Sequence, residues 1–386
     1  MKKRIRQLHL ILGLAAGLVV FVVGLTGTAF VFMEEIMDFV NRDALTVPVP
    51  APGTPRRPAD ELIAGYQRQF PRQQIVRYST YRDPARSVYI LGFGPGELQN
   101  AYLDPYSGRL IKAERATITF FFYDVMVHTT LLLGARWGKG IIGVCTVIFT
   151  LQLLGGLVLW WPRGRAAAVR HALVIKAGAS RKRRIFDLHN VWGFYGLPYA
   201  LVMALTGLFM AYRPVQQAAF TAFGGDAAAD EDHYLPRPRP GRRAAPYEPV
   251  VRAAFARHPA AQLVAFEVPH DTVSHYHLTV ARQAGLFSND GTVAHLNKYT
   301  GQPVLLPAPV YRNGELEQLN IMLHMGFWGG IWSKILVFGT GLVITSLPVT
   351  GFLLWRSKRR GPGRSPRPPA GARHPAATPR PASLPA

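Results

Sequence analysis

Leu8-His9-Leu10-Ile11-Leu12-Gly13 opens an apolar run that goes on to Leu25-Thr26-Gly27, and Leu188-His189-Asn190-Val191-Trp192-Gly193 opens another that reaches Leu205-Thr206-Gly207 at the same spacings. A second matched pair follows them. His128 precedes Trp137-Gly138-Lys139, and His324 precedes Trp332-Ser333-Lys334. Each of these tryptophans is followed 23 positions later by the Trp of Gly-x-x-Leu-Trp, at Trp160 and Trp355. The chain therefore reads as a tandem duplication of apolar spans. An ionisable side chain at membrane depth is costly and tends to be functional, so four histidines recurring in register are the residues to follow.

Charge placement orients the spans. Almost half of the 386 residues are hydrophobic and 17% are charged, yet the formal net charge is +22. Residues 1–7 carry four Lys/Arg, residues 162–186 carry eight and residues 356–386 carry eight, with no acid in any of the three stretches. Elsewhere 24 basic residues face 22 acidic ones, which is nearly neutral. Short basic segments beside apolar spans are what the positive-inside rule describes, so the high pI is not a nucleic-acid footprint. The apolar run from Leu8 to Met33 is too long for the core of a signal peptide and reads as an uncleaved anchor. The single cysteine, Cys145, excludes an intramolecular disulfide framework, a Cys-x-x-Cys-His haem attachment and a four-cysteine iron–sulfur site.

Spans of about 20 helical residues suffice to cross a hydrocarbon core, and four lie near 8–33, 139–161, 189–212 and 334–355. The expected fold is an all-α membrane bundle of four principal transmembrane helices, with two α+β modules on the outer side. The first span occupies 1–38 and a periplasmic module 39–119; an interfacial segment with the second span occupies 120–163 and a basic cytoplasmic loop 164–186. The third span is 187–213, the second module 214–319, the interfacial segment with the fourth span 320–356, and a disordered cytoplasmic tail 357–386. A single helix from His128 to Trp160 would be about 48 Å long and would overshoot the membrane. His128 is therefore expected on an interfacial helix or on a long helix projecting outward. Each module ends in a turn signal, Asp104-Pro105-Tyr106-Ser107-Gly108 and Asn297-Lys298-Tyr299-Thr300-Gly301, suited to a positive φ at the glycine.

This topology puts His9 and His189 near the cytoplasmic face and His128 and His324 near the outer face. Pairing within a repeat would have to bridge the ~30 Å core; pairing across the repeats, His9 with His189 and His128 with His324, is the natural geometry. A histidine pair between membrane helices, with small residues nearby and no cysteine, suits axial ligation of b-type haem. Arg136, Lys139 and Lys334 are candidate cationic partners for propionates on the outer side, and Arg4, Arg6 and Arg184 on the inner side. The four tryptophans read first as aromatic belts with Lys139 and Lys334 snorkelling, and the Thr-Gly pairs as close helix packing. Met126, Met322 and Met325 are alternative axial ligands close to the outer histidines. His270, His275 and His277 form a further group; the last two would share one strand face, either solvated or as a surface metal contact.

The Leu-His-x-x-x-Gly…Leu-Thr-Gly spans, the Gly-x-x-Leu-Trp endings and the Asp-x-Tyr-Ser-Gly type turn resemble the PepSY-associated transmembrane proteins over nearly the whole chain except the basic tail. Some members of that family are inner-membrane ferric-siderophore reductases carrying two b-type haems. The resemblance implies two haem b groups ligated by His9, His128, His189 and His324, and periplasmic PepSY-like modules. It also implies a haem-dependent oxidoreductase that takes electrons from a separate cytoplasmic or quinol donor and reduces a ferric siderophore or other periplasmic iron complex. The second span departs from the fourth, with Gly155-Gly156 where the fourth has Thr350-Gly351, and the His-to-Trp spacing differs by one residue between repeats. These differences are expected to leave the two halves of the outer site unequal. Two other classes remain open on the residues alone. One is a non-enzymatic membrane protein whose modules bind a partner such as a peptidase; the other is a metal transporter, disfavoured by the lack of Asp or Glu in the span cores.

Overall fold

The computed structural model describes residues 1–51, 53–94, 97–162, 169–170, 172–229, 233–239, 241–268, 275–283, 285 and 291–359. Among the described residues four helical segments are long and apolar enough to cross a membrane: α1 (Lys2–Phe30), α5 (Gly134–Trp160), the segment Arg181–Ala211, and α11 (Gly330–Arg359). The third is built from α6 (Arg181–Asp187), a π turn over Leu188–Trp192, and α7 (Gly193–Ala211). α1 packs against α5 and α11, and α7 packs against the same two. The four spans thus form a ring in which α1 faces α7. The centre of the ring is thin: its buried apolar cluster comprises Leu153, Ala200, Ala204 and Ile344.

His128 lies on a helix of its own, α4 (Ala116–Thr130), and not on a long extension of α5. The break falls at Leu131 and Leu132, which take φ of 51° and 58°. That left-handed backbone is uncommon for side chains other than glycine, and it reverses the chain into α5. The second repeat makes the same reversal after α10 (Ala308–Met325), with Gly326 at φ 77° and Gly330 at 59°. Each histidine therefore sits in the last turn of a helix whose abrupt end returns the chain to the bundle.

The two expected modules are joined in one sheet. Strands β1 (Gln74–Tyr81), β2 (Val88–Gly94), β3 (Glu97–Leu103) and β4 (Leu110–Glu114) come from the first, and β5 (Leu263–Glu267), β6 (His275–Ala281) and β7 (Thr292–Asn297) from the second. They run β4-β3-β2-β1-β5-β6-β7, every neighbouring pair antiparallel. The seam is β1 against β5, with Ser79 opposite Ala265 at its middle. Sequence could not show it, because β1 and β5 lie in different modules and no local pattern links them.

One face of the sheet packs Tyr78, Val264, Phe266 and Tyr276 under α3 (Ala59–Gln69) and α9 (Tyr247–Arg257). These two helices cap each other. The Asp60 carboxylate accepts from the Tyr247 and Glu248 amides at 3.0 Å, and the Glu248 carboxylate accepts from the Ala59 amide at 2.9 Å. Acids at helix N-termini satisfy donors that the helix leaves open. The other face packs Tyr81, Tyr89, Tyr102 and Leu263 on Met33 and Met37 of α2 (Met33–Val40) and on Phe121 of α4, which fastens the sheet to the bundle. Both expected turns form: Asp104 Oδ1 accepts from Tyr106 N at 2.8 Å with Gly108 at φ 75°, and Asn297 Oδ1 from Tyr299 N at 2.9 Å with Gly301 at 68°.

Candidate functional site

The histidines meet across the repeats. The rings of His9 and His189 have centres 6.4 Å apart, and those of His128 and His324 also lie 6.4 Å apart. The first pair is at the end of the bundle away from the sheet and is called distal here; the second is the sheet-side pair. Along α1 the two levels, at His9 and at Thr26 where His128 docks, are about 26 Å apart at the helical rise.

Orientation, in contrast, comes from within each repeat. The hydroxyl of Thr206 donates to the Val202 carbonyl at 2.7 Å, so its oxygen accepts from His324 Nδ1 at 2.8 Å. Thr350 donates to the Ser346 carbonyl at 2.9 Å and accepts from His189 Nδ1 at 2.8 Å. His128 Nδ1 donates to the Val23 carbonyl at 2.9 Å, with Thr26 Oγ1 3.3 Å away. Since each of these acceptors has no proton to offer the ring, the network assigns the proton to Nδ1 in all three. It leaves Nε2 with a bare lone pair, the tautomer of a metal-ligating histidine with a fixed outer hydrogen bond.

The glycine after each threonine faces its ring, and at Gly27 the close approach excludes a side chain. A Cβ on Gly27 would lie 2.7 Å from His128 Cε1, one on Gly351 3.4 Å from His189 Cε1, and one on Gly207 3.6 Å from His324 Cε1. The Thr-Gly pairs are thus close-packing elements that also orient the ligand candidates, a role the sequence reading did not assign them. Its signal was their recurrence in three of the four spans. His189 moreover lies in the π turn, a local widening of the helix often found at functional sites.

The fourth histidine is set differently. Gly155 and Gly156 occupy the Thr-Gly position, and His9 Nδ1 is buried without a hydrogen-bond partner. Gln152 reaches only the His9 backbone carbonyl, at 2.8 Å. The difference between Gly155 and Thr350 therefore falls on the distal pair. This corrects the expectation that it would make the outer pair unequal, since there Thr26 and Thr206 both lie beside their histidines.

The cationic candidates separate as well. Lys334 is buried and ion-paired to Glu34 at 3.0 Å and Glu35 at 2.7 Å, with Phe327 beneath it. It clamps α11 to α2 and is not open to an anionic group, contrary to the expected role. Arg136 lies over the Trp137 ring, 5.7 Å from its centre. Lys139 lines a cavity of about 330 Å³ with Arg213, Gln217, Asn313 and Glu317. Trp137 and Trp332 are exposed, as aromatic-belt residues are. Methionine does not replace histidine in either pair.

The spacing fits one metal ion shared by the two imidazoles of each pair. Two imidazoles sharing one ion, each nitrogen about 2 Å from it, have ring centres about 6 Å apart, as both pairs do. All four histidines are half-buried although they lie between helices. Compared with known proteins, the chain matches the family described as the PepSY-associated TM region over residues 6–358. No curated protein matches it.

Proposed function

The chain belongs to the PepSY-associated TM family, and on that premise we propose that it is a dihaem b protein of the bacterial inner membrane, passing electrons to a periplasmic acceptor. His9 with His189 and His128 with His324 would hold the two groups through their ring nitrogens. Both termini and the basic loop lie on the cytoplasmic side, and the sheet is periplasmic. The donor is a separate cytoplasmic or quinol partner. The acceptor is a ferric siderophore or similar iron complex, whose reduction releases iron because ferrous iron binds hard oxygen ligands less well. When bound, haem supplies one-electron transfer at a potential set by its ligands and burial.

The chain's own residues prepare the sites. Thr206, Thr350 and the Val23 carbonyl fix three ligand tautomers, which raises imidazole basicity and holds the rings. The apolar spans keep water from the region between the pairs. The Lys334–Glu34–Glu35 clamp fixes the start of α11 against the sheet-side end of α1. The observation carrying the proposal is that cross-repeat pairing recurs at both ends of the bundle with the same 6.4 Å separation.

An optical spectrum of protein made with ample haem tests it. Split b-type bands are expected on reduction, and their absence sinks the proposal. His189→Ala should remove the distal haem alone and His324→Ala the sheet-side haem alone. Equal loss of both in each variant rules out cross-repeat ligation. Mixing the reduced protein with a ferric siderophore should reoxidise it with release of ferrous iron.

A further inference from the structure

Three more histidines converge on the sheet, away from both pairs. β6 and β7 pair so that His277 lies opposite His295, and His275 opposite Asn297. Side chains alternate along a strand. Tyr276, Leu278, Val280 and Leu296 fill the core beneath α9, so His275, His277 and His295 share the opposite face, the one that carries Leu263, Ala265 and Ala281 toward α2. Their ring centres are 5.4 Å (His275–His277), 5.7 Å (His275–His295) and 4.4 Å (His277–His295) apart. One ligand nitrogen of each lies within 4.8 Å of the other two, and all three residues are half-buried. His270, grouped with His275 and His277 in the sequence, lies outside the described residues.

We propose that His275, His277 and His295 bind one divalent first-row transition-metal ion. Three imidazole donors suit zinc, copper, nickel or ferrous iron, whereas calcium and magnesium require oxygen donors. Two ligands come from one strand and the third from its hydrogen-bonded neighbour, so the sheet itself sets the spacing. Open zinc sites use the same number of protein ligands, with a fourth position for water or an incoming ligand. The site shares no residue with the His9–His189 and His128–His324 pairs and does not depend on what those pairs hold.

The test uses the full chain in detergent, without a polyhistidine tag, stripped with chelator and titrated with Zn²⁺ or Ni²⁺. Bound metal is measured after desalting, and haem in parallel. Losing one ligand should weaken binding by about 100-fold or more, since removal of mere outer-shell partners already costs on the order of 10- to 100-fold. His277→Gln and His295→Gln should each lose one bound ion relative to the parent and keep its haem spectrum. His258→Gln, at an exposed position, should bind metal like the parent. Cu²⁺ at one equivalent should show nitrogen coupling in its electron spin resonance spectrum, with fewer coupled nitrogens in both strand variants. Equal metal content and affinity in the parent and both strand variants would overturn the proposal. The unchanged haem spectrum keeps that failure separate from any failure of the dihaem assignment.

Discussion

In the second repeat Thr350 accepts from His189, and Asn320 donates to the Thr206 carbonyl at 3.2 Å. In the first repeat Gly155 and Asp124 occupy the corresponding places, and His9 Nδ1 and one Asp124 oxygen are buried without partners. The second repeat also buries Lys334 between two acids, whereas its counterpart Lys139 is exposed. The ligand candidates are the same in both halves and their surroundings are not. The two halves share the paired histidines and differ in the groups that surround them.

The largest test of that contrast is the lysine pair. Lys334→Met leaves Glu34 and Glu35 facing each other without their cation, and removing one partner of a buried ion pair costs about 3 kcal/mol or more. Lys139→Met at the equivalent position should cost less than about 0.5 kcal/mol. Thermal unfolding of the two variants in one detergent measures the difference, and equal losses would erase the contrast.

Next is the distal pair. Thr350→Val removes the acceptor of His189 Nδ1, at about 1–3 kcal/mol for a buried donor left unpaired; with the proposed haem bound at the distal pair, its midpoint potential should rise as the imidazole becomes less basic. Gly155→Thr should act in the other direction. A Cβ there meets His9 Nδ1 and Ile5 Cγ2 only at 3.8 Å, so a hydroxyl can be accommodated and would supply His9 with the acceptor it lacks. Redox titration should show that potential falling. A rise in Gly155→Thr, or no change in either variant, would mean that threonine orients nothing.

The smallest effect concerns Asp124. Burial pushes its carboxyl up from 3.8 to about 6. A raised acid in the folded state binds its proton more tightly than in the unfolded chain, so stability falls as pH rises from about 4 to 6 and stays lower above that window. Asp124→Asn, which copies the second repeat, should flatten that window in unfolding scans and leave the protein more stable at neutral pH. A parent whose stability is level across the window would show that Asp124 ionises without penalty.

The spans, the turns at Gly108 and Gly301 and the four histidines were legible in the sequence, because each follows from a periodic or repeated local pattern. Pairing across repeats followed from charge placement together with the register of the duplication. The orienting role of Thr206 and Thr350 was not legible, because Thr-Gly in an apolar helix satisfies the ordinary demands of packing, and nothing local shows which neighbour it touches. Lys334 was misassigned for the same reason: its partners, Glu34 and Glu35, are 300 and 299 residues away in sequence. His295 joins His277 only through strand register, which an interval of 18 positions cannot reveal.

The β1–β5 seam carries a consequence for how such a protein could arise. A half-length chain would end its sheet on an open edge, β1 or β5, and would bring only one histidine to each end of the bundle. Two copies joined edge to edge would complete both pairs, each ligand set formed at a symmetric interface between identical subunits. Fusion makes that association permanent. It also ends the requirement that both copies be identical, so the surroundings of each pair can differ between its halves, as Gly155 differs from Thr350 beside one pair and Asp124 from Asn320 beside the other.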